Sequence, residues 1–376
     1  QAPASTPWPV HPFLAAIPSL LSYTHDNRGM AFWTSAIAPL VATWVAMLPV
    51  WGLLRLVSKS RAAAAFSTTL VVIAFYAHQL AGTYATSMWV AVFVASLLLS
   101  RLRGEAGALT TFANLMMGLA ILPRVFETIQ DQRLDAAPHV RPGWQTGLEL
   151  GPPKKTSDER PDIWYIVLDA YGREDVLREQ YGIESGLADQ LRTRGFVVAK
   201  DARSNYAQTS LSFAATMNMA PLQELLVELD PNSTNRRPLM DLIQNNRVVS
   251  ALRAGGYRIV GYAGEYSVTK LANPDEVRGP RWALDEYDYV LLGKTPILAL
   301  TKAAGFPQHR IAQEAHRLAV QAAFDALDQG DRAEGPTFHY VHIVAPHPPF
   351  VFAADGSYRK SRSRNFFGDG ATWEKY

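Results

Sequence analysis

Between Ala31 and Val125 the chain carries only seven charged side chains: Arg55, Lys59, Arg61, Arg101, Arg103, Glu105 and Arg124. A helix of a soluble protein keeps a polar face, because its outer side meets water. These residues offer no such face, so the stretch is read as membrane-spanning rather than as a soluble helical domain. Ala31 to Leu54 is long enough to cross a hydrocarbon core of ~30 Å at ~1.5 Å per residue. Ala64 to Ala81, Thr86 to Ser100 and Leu109 to Leu122 are three further apolar runs, and Trp8 to Tyr23 is a first, Pro-interrupted one. About five transmembrane helices are expected. The basic residues cluster after the second and fourth runs, and basic loops stay in the cytoplasm. Everything after Leu122 is therefore expected outside the cytoplasm.

From about Glu127 the composition becomes that of a water-soluble domain. The expected organisation is a membrane domain over 1–125, a Pro- and Gly-rich linker over 126–160, and an extracytoplasmic domain over 161–376. The chain has no cysteine. That excludes disulfides, thiolate metal sites and cysteine nucleophiles.

The extracytoplasmic part alternates strands with helices. Ile163 to Leu168 is a short apolar run rich in aromatic and β-branched residues, the pattern of a strand buried on both faces of a parallel sheet. Further strands are expected at 195–200, 257–262 and 337–344. Helices are expected at 174–181, 184–194, from Thr209, at 221–229, 238–254 and 310–329. Such alternation implies a three-layer αβα domain with a mainly parallel sheet. The region 263–306 is mixed, with short helices at best.

Ligands of open α/β sheets bind beyond the carboxyl ends of the strands. Asp169 ends the first strand there. Thr209 starts a helix after the polar loop Ser204-Asn205-Tyr206-Ala207-Gln208. An acid and a hydroxyl so placed can share a divalent metal, which makes the hydroxyl a usable nucleophile. Taken singly, Asp169 reads as a turn residue and Thr209 as a capping hydroxyl. His347 follows the last strand in a loop stiffened by Pro346, Pro348 and Pro349. His339 and His342 lie three apart within that strand and point to opposite faces; His339 reads as a hydrogen-bonded strand histidine. Acid, hydroxyl and imidazole each follow a strand of one sheet and so can converge on one edge.

The segments VLDAYGRED, SNYAQTSLSFAATMNM and HIVAPHPPFVF, in this order behind the membrane runs, resemble the membrane-anchored sulfatase-like proteins of the alkaline phosphatase superfamily. Lipoteichoic acid synthases and phosphoethanolamine transferases are related members. HPFLAAIPSLLSYTHDN resembles the opening membrane segment of the same group. The resemblance implies an alkaline-phosphatase-like fold with one or two divalent ions, Mn²⁺, Mg²⁺ or Zn²⁺. It makes Asp169 a metal ligand. Thr209 becomes the nucleophile, which also touches the metal and carries the covalent phospho-intermediate. His347 would contact the substrate phosphate or leaving group, with His342 a weaker candidate in the same region. Asn205 and Gln208 flank the nucleophile and are candidates to orient phosphate oxygens.

Two departures qualify this. The group completes its metal site with an Asp-His-Gly motif downstream of the PHPP loop. This chain has none before Tyr376, so either its C-terminal part is missing or the site is incomplete. Sulfatases of the commonest type convert a cysteine to formylglycine, whereas here the position reads Gln208-Thr209-Ser210, which disfavours sulfate esters. The expected function is phosphoryl or substituted-phosphoryl transfer on envelope lipid or polysaccharide phosphate esters. The alternatives are a sulfatase-like hydrolase without transfer activity and a non-catalytic envelope scaffold. The expected partners are the bilayer and a phospholipid or glycan substrate, with no nucleic acid. The expected location is a bacterial cytoplasmic membrane, with the domain facing the periplasm or cell exterior. The sequence is silent on oligomeric state.

Overall fold

The computed structural model of this chain describes residues 7–29, 31, 33–58, 60–101, 106–135, 160–227, 236–279, 285–306, 308–328, 330 and 335–358. Most of the expected linker and everything after residue 358 lie outside the described residues. The chain forms two units. One contains Gln1–Ala137 and Tyr287–Gly305, the other Pro138–Glu286 and Phe306–Tyr376.

The first unit is helical: α1 (His11–Leu14), α2 (Ile17–Asp26), α3 (Ile37–Val57), α4 (Arg61–Ala81), α5 (Ala85–Ser100) and α6 (Gly107–Asp135). Three stretches are long and apolar enough to cross a membrane: Trp33–Val57, Arg61–Ser100 and Gly107–Arg133. The second of these is two helices. The chain reverses at Gly82, whose φ of 49° glycine adopts without strain, and α4 and α5 pack on one another. Burial here is inverted relative to a soluble protein. Leu56 and Leu80 are 84% and 86% exposed, while Ala63, Ala64, Ala65, Ser67 and Thr68 of α4 are fully buried. Small and hydroxyl residues at helix contacts, with large apolar ones outward, suit helices whose solvent is lipid.

The expected first span does not form as one helix. Trp8 to Tyr23 falls on α1 and α2, of four and ten residues. A ten-residue helix rises only ~15 Å, half the hydrocarbon core. Pro12 and Pro18 sit in the first turns of α1 and α2, where a missing N–H costs nothing, so they start new helices rather than extend one.

The second unit begins with β1 (Ile163–Leu168), α7 (Glu174–Tyr181), α8 (Leu187–Thr193), α9 (Thr209–Thr216) and α10 (Leu222–Leu225). It continues with α11 (Arg237–Gln244), α12 (Arg247–Ala254), β2 (Arg258–Tyr262) and β3 (Glu276–Arg278). The chain then forms α13 (Glu286–Lys294) and α14 (Ile297–Ala303), and from Tyr287 to Gly305 it belongs to the helical unit. In that unit the Tyr287 hydroxyl is 2.8 Å from Thr24 Oγ1, and its ring lies 5.0 Å from that of Tyr23. The second unit resumes with α15 (Gln308–Asp328) and ends its described structure with β4 (Thr337–Ile343) and the loop after it.

All four strands are parallel, in the order β1-β4-β2-β3. β4, last in sequence, is central and buried throughout. Val320, Ala323 and Ala326 of α15 pack with Val260, Tyr262, Val341 and Ile343 on one face of the sheet. Phe213 of α9 packs against Tyr165, Tyr340 and His342 on the other. Helices therefore cover both faces, the coarse three-layer arrangement expected from the alternation.

Several local expectations need correction. β1 is not buried on both faces: Trp164 and Ile166 are 37% and 48% exposed. It is an edge strand among the described residues, and of its side chains only Leu168, at its end, packs against the cluster that α15 forms with β2 and β4. Trp164 instead stacks flat on His339, 3.6 Å between ring centres. The expected strand at 195–200 is absent. The Phe196 N–H bonds back to Leu191 O and closes α8, and Val197 beyond is 99% exposed. A strand needs a ladder partner, and none of the described strands lies beside it. The expected helix 238–254 is two helices. Asn246 starts the second by accepting from Val249 N at 2.7 Å, the role asparagine prefers at a helix start. Of the helix expected at 221–229, the described residues form the four of α10, and 228 and 229 lie outside the described residues.

Candidate functional site

In the β1–β4 register Val167 lies opposite His342. Asp169, two residues beyond Val167, therefore faces the same side of the sheet as His342, and its own N–H continues the ladder to Ile343 O at 2.9 Å. α9 crosses this face, anchored by Phe213, whose ring centre is 4.8 Å from that of His342. The start of α9 thus arrives at the carboxyl edge of β1. Gln208 is the N-cap and makes no side-chain cap, so Thr209 stands at the first helical position with its hydroxyl free of capping duty. Thr209 Oγ1 donates to both carboxylate oxygens of Asp169, at 3.2 and 3.3 Å.

The next residue, Ala170, has φ 66°, in the left-handed region. A Cβ there costs about 1–2 kcal/mol. Ala170→Gly is expected to stabilise the domain by about 0.5–1 kcal/mol after the extra freedom glycine gives the unfolded chain. Thermal unfolding of the two forms checks the sign, and Ala170→Val should move it the other way.

His342 is buried. Its Nδ1 is 2.8 Å from Thr269 Oγ1, and its Nε2 is 3.3 Å from Asp169 Oδ2 with no hydrogen bond between them. Burial, the largest influence on Asp169, pushes its pKa up. The His342 ring, the more distant His347 and the Thr209 hydroxyl together outweigh it, and the net shift is downward. Asp169 is a carboxylate at neutral pH.

His347 follows the cis Ala345–Pro346 bond, and its Nδ1 donates to Pro348 O at 2.8 Å, leaving Nε2 for other partners. Asn205 is turned to the flank of α9: its Oδ1 accepts from Ser212 at 2.8 Å and its Nδ2 lies 3.4 Å from Thr216 Oγ1. Gln208 is exposed. Asp169, Thr209 and His342 are thus brought together, His347 lies within reach of the carboxylate's field, and Asn205 faces the helix. On the opposite face His339 stacks on Trp164, and its Nδ1 is 3.3 Å from the Tyr262 hydroxyl.

Sequence reasoning did not single out Thr269 and Tyr266, which lie in the mixed region after β2. The half-buried Tyr266 phenol has its pKa pushed up, chiefly by burial. Glu265 and His316 form a buried pair at 2.6 Å just past β2. No periodic pattern marks any of these residues.

The donor set suits a divalent ion. Among the described residues no three His, Cys, Asp or Glu side chains gather in one cluster. With the Thr209 hydroxyl, however, the edge presents two kinds of oxygen donor and an imidazole nitrogen. Donors ~2.1 Å from one ion and ~100° apart stand ~3.2 Å from each other. The Asp169–Thr209 and Asp169–His342 separations, 3.2 and 3.3 Å, have that size. The buried Nε2 without a hydrogen bond is the atom such an ion would satisfy. Compared with protein-family models, with curated proteins and with solved structures, the chain matches none of them.

Proposed function

We propose that the chain is a membrane-anchored, metal-dependent phosphotransferase or phosphodiesterase of the sulfatase-like kind, acting on phosphate esters of envelope lipid or polysaccharide. The observation that carries this is the Thr209 hydroxyl resting on the Asp169 carboxylate at the carboxyl edge of a parallel sheet, with His342 beside them. Asp169 and Thr209 would hold the divalent ion, which when bound would lower the cost of the Thr209 alkoxide and withdraw charge from the phosphoryl group.

Asp169 accepts the hydroxyl hydrogen and fixes which lone pair of Thr209 faces the substrate. Thr209 Oγ1 attacks phosphorus in line, the bond to the leaving alcohol breaks, and a phosphoryl group remains on the threonine. His347, whose Nδ1 donates to Pro348 O, would give the leaving oxygen a proton from Nε2 when the ring carries both hydrogens. A sugar hydroxyl or water then takes the phosphoryl group and restores Thr209.

Orientation follows from the charged loops. Arg55 and Arg61 flank the α3–α4 turn, and Arg101 follows α5. With both turns cytoplasmic, α6 leads outward, so the domain faces the periplasm or exterior whether or not α1 and α2 enter the bilayer. That location suits a phospholipid donor.

The test is chemical trapping. The full chain in detergent, loaded with Mn²⁺ or Zn²⁺, is mixed with a chromogenic phosphodiester, quenched in acid, digested and read by mass spectrometry. A phosphoryl adduct on the peptide containing Thr209 is expected. Turnover with an adduct elsewhere would sink the assignment.

A further inference from the structure

His342 is 5% exposed, and its Nε2 has no hydrogen-bond partner although it stands 3.3 Å from Asp169 Oδ2. The other ring nitrogen fixes where the proton sits. Thr269 Oγ1 is 2.8 Å from Nδ1 and 3.0 Å from the carbonyl oxygen of Tyr266. A carbonyl only accepts, so the single hydroxyl proton of Thr269 goes to Tyr266. Toward His342 the Thr269 oxygen is then the acceptor, and Nδ1 carries the ring hydrogen. Thr269 is itself held in place, because Tyr340 donates to its backbone carbonyl at 2.8 Å. In the neutral ring, Nε2 therefore presents a bare lone pair to a carboxylate oxygen in a buried site. Two acceptors facing each other leave Nε2 unsatisfied, whereas the Asp169 oxygens already accept from Thr209. A cation between them removes the conflict.

We propose that His342 Nε2 is a direct ligand of the divalent cation at the Asp169–Thr209 site, with Thr269 as its positioning residue. This rests on the metal-dependent reading above and narrows it: an imidazole in the set favours Zn²⁺ and other first-row ions over Mg²⁺. It also moves His342 from substrate contact to the metal. Thr269 acts as the outer partner that fixes a ligating imidazole's tautomer and orientation.

The probe is Mn²⁺, whose unpaired electrons report bound nitrogen. The metal-free full chain in detergent is titrated with Mn²⁺ and read by electron spin-echo envelope modulation, with ordinary and with ¹⁵N-histidine-labelled protein. About one Mn²⁺ per chain is expected, with a directly bound histidine nitrogen whose signal changes on labelling. That signal should vanish in His342→Gln and persist in His347→Ala. Thr269→Val should weaken Mn²⁺ binding about 10- to 100-fold, and Thr269→Ser should restore it. Bound Mn²⁺ without a histidine nitrogen, a signal that survives His342→Gln, or one lost in His347→Ala overturns the assignment and leaves the metal-dependent reading standing. Failure of the wild-type chain to bind either Mn²⁺ or Zn²⁺ stoichiometrically removes that reading and this inference with it.

Discussion

Thr209→Ala is expected to lower phosphodiester turnover by at least about a thousandfold, because in the proposed mechanism Thr209 is the group that carries the covalent intermediate. Stability should change by no more than about 1 kcal/mol. The hydroxyl makes only long bonds to Asp169, at 3.2 and 3.3 Å, and gives no cap to α9. A structural threonine would behave in the opposite way, with activity falling only as far as the fold did. Thr209→Ser keeps the oxygen and should retain measurable turnover, lowered about ten- to hundredfold by the looser rotamer. Steady-state kinetics of the three forms, beside their thermal unfolding, separate the cases. An alanine form with near wild-type turnover would return Thr209 to an ordinary helix start.

The largest expected effect on stability lies at Asn218, which makes no contact with the proposed substrate. Asn218 is fully buried beyond the end of α9. Its Nδ2 donates to Ala214 O at 2.7 Å and to Leu242 O at 2.9 Å, and its Oδ1 accepts from Arg247 N at 3.0 Å. One amide therefore ties α9 to α11 and satisfies an N–H at the start of α12 that has no partner inside its own helix. Asn218→Ala removes the amide from two buried carbonyls and from a part-buried N–H and should cost about 2–4 kcal/mol. Asn218→Asp should be worse than alanine at neutral pH, because it turns a charged acceptor toward two carbonyls. Circular dichroism melts in detergent give both values. If the aspartate form were the more stable of the two, the amide would not be bonded as described. Since α9 carries Thr209, the alanine form should also lose activity in step with its loss of structure.

The parts of the fold legible in the sequence share a physical reason. β1, β4, α7 and α15 are marked by local composition and by turn residues at their ends, and they appear within a few residues of their expected limits. The approach of Asp169 to Thr209 was legible for a topological reason, because parallel strands deliver their carboxyl ends to one edge. What was not legible depends on partners. Residues 196–199 have strand-like composition but no described ladder to join. β3 is three residues long, too short for any periodicity. Thr269 reaches His342 from a 3₁₀ turn in a stretch without pattern. In the membrane part the apolar runs were plain. That Trp8 to Tyr23 divides into two short helices depended on where its prolines fall within them, which composition alone does not weigh.

Tyr287–Gly305 belongs to the helical unit although more than a hundred residues of the other unit precede it. Tyr287 and Leu291 share a buried cluster there with Leu20, Tyr23, Met47 and Val72. A water-soluble form of the second unit therefore cannot be released by one cut in the linker. Protein expressed from residue 160 onward would carry two helices whose apolar residues, Tyr287 and Leu291 among them, are stripped of their partners, an aggregation site of its own making. A second excision, replacing 287–305 by a short polar bridge between Glu286 and Phe306, is the form that should stay in solution. The helical unit, in turn, needs those residues supplied back to complete its interior.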